Sequence, residues 1–146
     1  MLAASLMAEI LQQAYLDPGA APIFGREPLE STTTRVDADD VDDYTGLREA
    51  PPQNKDGTKL PGVSDWELQV NVTLVDPNDL TATSTTDLGA KRILVSAVHQ
   101  GKVVAELWAV KTGKPSATAV PIAPPPPPPP GPGPEPQSFQ RSPEEF

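Results

Sequence analysis

The residues best suited to chemistry in this sequence are the carboxylates of one short run, Asp37, Asp39, Asp40, Asp42 and Asp43. Carboxylates this close together can supply oxygens to a hard cation such as Ca²⁺. Their spacing does not fit an EF-hand loop, because Val41 stands where a third ligand belongs and no glycine or distal glutamate follows at the required offset. The run is therefore expected to be a solvated acidic loop, or one whose carboxylates cap backbone N–H groups, and no metal site is assigned. Asn54, Asp56 and Gly57 read as a turn before they read as ligands. His99 is the only histidine and there is no cysteine, so neither a histidine-based triad nor a thiolate metal site can be assembled from this sequence. His99 is expected to be exposed beside a turn. Glu9 has no basic residue within a helical turn and is expected to be a surface charge. No nucleophile, base and oxyanion donors converge, so the chain is expected not to be an enzyme, with no catalytic residue and no cofactor.

Few elements are available to position these groups. Residues 1–17 are rich in Ala, Leu, Met and Gln, with no Gly or Pro before Asp17-Pro18-Gly19, and predict a helix. On it Leu2, Leu6, Met7, Ile10 and Leu11, with Ala3 and Ala14, cover about half the circumference, opposite Ser5, Glu9, Gln12 and Gln13. That arc is wider than one sheet contact needs. It fits either a deeply buried core helix or a helix that touches both its own sheet and neighbouring subunits. Residues 18–65 hold many turn formers and little periodicity, which predicts a long loop region.

Residues 66–112 predict an antiparallel sheet. Trp66, Leu68, Val70, Val72 and Leu74 alternate with Glu67, Gln69, Asn71 and Thr73, the pattern of a strand with one buried face. Asp76-Pro77-Asn78-Asp79 breaks it, and a Thr/Ser-rich link leads to Gly89. Two further apolar runs are joined by Gln100-Gly101, a spacing suited to a tight hairpin that would set Leu94 opposite Leu107 and Ile93 opposite Trp108. Residues 113–146, with seven consecutive prolines at 124–130, predict a disordered, proline-rich tail, either a plain spacer or a ligand for polyproline-binding domains. The fold class expected is α+β, an N-terminal helix packed on a small antiparallel sheet.

At 146 residues the chain has room for one modest domain. Its formal net charge of -9, without a basic stripe, argues against nucleic-acid binding. Its longest apolar stretch falls short of the ~20 residues a membrane-spanning helix needs, and no basic segment precedes it as in a complete export signal.

Several pieces in order resemble the prepilin-type proteins, meaning minor pilins of type IV pili and pseudopilins of type II secretion, with the mannose-sensitive haemagglutinin-type minor pilins nearest. They are Ala8-Glu9-Ile10-Leu11-Gln12-Gln13, Asp39-Asp40-Val41-Asp42-Asp43-Tyr44 with Gly46, the Asp56-Gly57 and Pro61-Gly62 turns, Trp66, and Gly89-Ala90-Lys91-Arg92-Ile93. The resemblance implies a pilin-like fold and a structural subunit that assembles through Leu2, Leu6, Met7, Ile10 and Leu11 with other pilin or pseudopilin subunits. It also implies a place in the cell envelope on the exported side of the inner membrane. The family's basic leader and hydrophobic first half-helix, which hold the precursor in that membrane, are missing from these residues. An alternative from another class is a soluble acidic adaptor that recruits a partner through its loop or polyproline tail.

Overall fold

The computed structural model describes residues 1–18 and 23–114. The expectations for the proline-rich tail beyond residue 114 lie outside the described residues. The chain is α+β: a helix α1 (Leu2–Gln12), a 3-10 turn (Asp42–Tyr44), and strands β1 (Arg48–Glu49), β2 (Trp66–Asp76), β3 (Asp79–Thr83), β4 (Ala90–His99) and β5 (Lys102–Thr112). Every strand pairing is antiparallel, in the order β1-β2-β4-β5, with β3 folded back on the end of β2. Among the described residues no helix is long and apolar enough to cross a membrane.

α1 is shorter than the 1–17 span expected. Gln13 turns extended (φ -73, ψ 162), and Ala14 then bridges the acidic run, donating its N–H to Asp39 O at 3.1 Å and accepting from Val41 N at 3.1 Å. A tertiary pairing, not the Asp-Pro-Gly signal, ends the helix.

Two further corrections concern the sheet. The link after Asp76 contains a strand, since Pro77-Asn78 is a tight turn that lets β3 pair back with β2. β4 and β5 are joined at Gln100-Gly101, but Leu94 lies opposite Trp108, Val95 opposite Leu107 and Ile93 opposite Ala109, one residue from the expected register. The cause is a bulge. Val98 pairs with Val103 and Ala97 with Ala105, so Val104 is an extra residue with no partner.

The core joins Ala3, Leu6, Met7 and Ile10 of α1 to Leu68, Val70 and Val72 of β2 and to Ile93, Val95 and Ala97 of β4. Ala38, Val41 and Tyr44 belong to the same cluster, so the acidic segment adds an apolar wedge beside the sheet. This second neighbour accounts for the width of the helix's apolar arc. Of the five residues expected to form an assembly stripe, Leu6, Met7 and Ile10 are buried in the chain's own core, Leu2 is half-buried, and only Leu11, at 37%, is exposed. Each fully buried Leu, Ile or Met side chain is worth roughly 1.5–3 kcal/mol of transfer free energy.

Candidate functional site

Of the polar residues singled out by sequence, Glu9, Asp40, Asp42 and Asp43 lie at the seam where α1, the loop and β4 meet. Asn54 and Asp56 form a turn of their own, and His99 lies beside the hairpin turn. Glu9 is not a surface charge. Its carboxylate accepts from Arg35 Nε at 2.9 Å, from Arg35 Nη2 at 3.0 Å, and from the Tyr44 hydroxyl at 3.0 Å. Arg35, itself buried, also donates to the buried Glu49 carboxylate and, at 3.1 Å, to Gln53 O. Burial alone would raise the Glu9 pKa, but Arg35 and Tyr44 outweigh it and hold the carboxyl below its ordinary range. The basic partner was invisible in sequence because it comes from the loop, not from the helix.

A second cluster gathers around Asp42. Lys91 is buried, donates to the Asp42 carboxylate and to Tyr15 O, and sits 4.4 Å from the centre of the Tyr15 ring. The Tyr15 hydroxyl donates to Asp87 Oδ1, which also accepts from Gly89 N at 2.8 Å. Burial, reinforced by the Asp87 carboxylate, pushes the Tyr15 phenol well above its usual range.

Between these clusters the acidic run caps itself. Asp40 Oδ1 accepts from Asp42 N at 2.8 Å and Asp43 N at 3.3 Å. Asp43 Oδ2 accepts from Asp39 N at 2.9 Å and Asp40 N at 3.1 Å. The capping half of the sequence reading describes these residues; the solvated half does not, since Asp40, Asp42 and Asp43 are all buried and only Asp37 and Asp39 face water. Burial pushes the Asp40 carboxyl up to about 8, with the Asp42 and Asp43 charges adding to the effect.

Two residues that sequence reasoning passed over complete the region. Glu27 and Glu30 lock to each other, Glu27 N donating to Glu30 Oε2 at 2.9 Å and Glu30 N to Glu27 O at 3.1 Å. This turn brings both carboxylates against Asp43, with an oxygen from each of the three residues within 4.8 Å of the others. Burial pushes Glu30 up to about 7, opposed by the Glu27 N–H and reinforced by the Asp43 charge. Their three-residue spacing was a signal, but nothing in sequence joined them to a run that begins several residues later.

A further surface feature among the described residues is apolar. At the first turn of α1 a groove of about 460 Å³ is lined by Met1, Leu2, Ala3, Trp66, Ala97 and Val104, with Val63 and Ala105 completing it. His99 stacks on Trp66, ring centroids 4.7 Å apart at 28°, and is half-buried where exposure was expected. Along β5, which lies at the end of the sheet, Val103, Val104, Leu107 and Trp108 are exposed, Trp108 at 67%. No family model, no curated protein and no solved structure matches the chain.

Proposed function

We propose that the chain is a non-enzymatic structural subunit of a type IV pilus or a type II secretion pseudopilus, working by packing against like subunits. The observation that carries the reading is the apolar groove at the first turn of α1, where Met1 and Leu2 adjoin Trp66 and the bulged Val104. A helix whose starting end borders an open apolar groove, and whose far end shows Leu11, offers two different surfaces on one axis. Unlike surfaces that fit one another join copies head to tail and build open filaments. The order of helix, long loop and antiparallel sheet supports the same reading, together with the resemblance of the segments around Glu9, residues 39–46 and residues 89–93 to prepilin-type proteins. With Leu6, Met7 and Ile10 committed to the core, assembly falls to Leu2, Leu11 and the rim of the groove. The partners are other pilin or pseudopilin subunits on the exported side of the inner membrane.

The chain has no cysteine, so introduced cysteines report contacts without background. The test is a Leu11→Cys, Val104→Cys double variant of the full-length gene product, oxidised in its own host and run without reductant. The expected result is a ladder of disulfide-linked multimers, with none from a control pairing Leu11→Cys with Asp56→Cys in the exposed turn. Monomer alone from both pairs would favour the adaptor reading.

A further inference from the structure

Three carboxylates of the loop, one buried and two half-buried, converge with no positive side chain paired to them among the described residues. Asp43 is 1% exposed, and while its Oδ2 caps two backbone N–H groups, its Oδ1 is buried and has no hydrogen-bond partner. Glu27 Oε1 is in the same condition. The third carboxylate, Glu30, completes a triad whose oxygens lie within 4.8 Å of one another. None of the three takes part in an ion pair among the described residues. The nearest cation along the chain, Arg26, is turned away from them: its guanidinium donates to the backbone carbonyls of Asp43 at 3.0 Å, Thr34 at 3.2 Å and Ser31.

A buried carboxylate oxygen without a donor is costly, and Glu27 and Asp43 each hold one; with Glu30 beside them the carboxylates also repel one another. A cation at their centre removes both costs together. We propose that Glu27, Glu30 and Asp43 form a binding site for one divalent cation of the calcium class.

The chemistry of the donors selects this class. All three are carboxylate oxygens, the ligands preferred by hard cations, with no imidazole or thiolate to favour a transition metal. Two oxygens bound to one Ca²⁺ at roughly 2.3–2.6 Å lie no more than ~5 Å apart, and the triad fits within that limit. Glu27 and Glu30 come from a turn and Asp43 from a 3-10 segment, an irregular set of ligands better matched to calcium's variable coordination than to the strict octahedron magnesium demands. The absence of EF-hand spacing in residues 37–43 does not count against the site, because only one of its ligands belongs to that run.

The site is independent of the subunit reading, since it rests on the loop alone and is tested on the isolated full chain. Protein stripped with EDTA is titrated with CaCl₂ by calorimetry and melted with and without the ion. The expected result is about one ion bound per chain and a higher melting temperature. Glu27→Gln and Glu30→Gln should each raise the calcium Kd at least about tenfold by removing ligand charge. Because Asp43 also caps the backbone, the two glutamate variants carry the test, and their circular dichroism in EDTA should match that of the parent. Asp56→Asn, in a separate turn, should bind as the parent does. No binding below about 10 mM Ca²⁺, undiminished binding by a Glu27→Gln, Glu30→Gln double variant, or tighter binding of MgCl₂ than of CaCl₂ would each overturn the assignment.

Discussion

Glu9 of the helix and Arg35 of the loop, 26 residues apart, meet through two parallel contacts, Nε to Oε1 at 2.9 Å and Nη2 to Oε2 at 3.0 Å. The paired geometry is the strong form of this interaction, and it ties the loop to the helix beside a core that the loop itself helps to build. Arg35 also answers Glu49, so one guanidinium holds two acidic groups from two elements.

Removing that guanidinium leaves Glu49 buried without a cation. Arg35→Ala is therefore expected to lower stability by about 3–5 kcal/mol, and Arg35→Lys to recover only part of it, because an ammonium cannot make the forked contact. Urea unfolding of the three proteins at neutral pH, with EDTA present, measures both differences.

The same pair gives a pH dependence of known sign. Glu9 is held below its ordinary pKa of 4.5, so the folded chain gives up this proton more readily than the unfolded one. Its contribution is complete above the unfolded value and is lost as pH falls through the lower folded value. Glu9→Gln should accordingly be less stable than the parent at pH 6 to 7, and the gap between them should narrow steadily below 4.5. A gap that stays constant through acid would show that Glu9 gains nothing from its charge.

The hairpin turn carries a local strain that substitution can relieve. Gln100 has φ 49 and Gly101 φ 75, the two positive values of a type I′ turn. Glycine accepts that backbone freely, whereas glutamine has no short side chain to make it favourable. Gln100→Asn is expected to stabilise the chain by up to about 1 kcal/mol without moving the register, which thermal melting and amide chemical shifts of Val98 and Val103 would check.

Lys91 and Asp42 form the second buried pair, each 2% exposed. Lys91→Met should cost about 3–5 kcal/mol by stranding Asp42, and combining it with Asp42→Asn should return a substantial part of the loss. A double-mutant cycle in EDTA gives the coupling; two losses that simply add would mean that the two side chains do not depend on each other.

How far the sequence could be read depended on whether a feature was local. The alternation of Leu68, Val70 and Val72 marked the buried face of β2, and Gln100-Gly101 marked the hairpin, because both signals lie within a few residues. The register was missed by one because nothing local announces the bulge at Val104. The helix end was missed because Ala14 and Tyr15 are claimed by Asp39, Val41 and Lys91, which lie far along the chain. The acidic run was read as carboxylates, yet its structural weight rests equally on Val41 and Tyr44, both fully buried. Glu9 and Glu27 gained their surroundings from partners in other segments, and sequence spacing carries no record of those.

α1 and β5 are the most widely separated elements among the described residues, and Lys111 Nζ donates to Leu11 O at 2.9 Å across 100 residues. During synthesis the helix leaves the ribosome long before the strands that cover it. At about 5–20 residues per second, the interval is roughly 5–20 s. Until β4 and β5 emerge, Leu6, Met7 and Ile10 lack these strands to pack against, and the nascent chain presents a sticky segment well suited to capture by a chaperone. The long separation between α1 and β5 thus keeps the helix from its complete packing until the last of these strands has emerged.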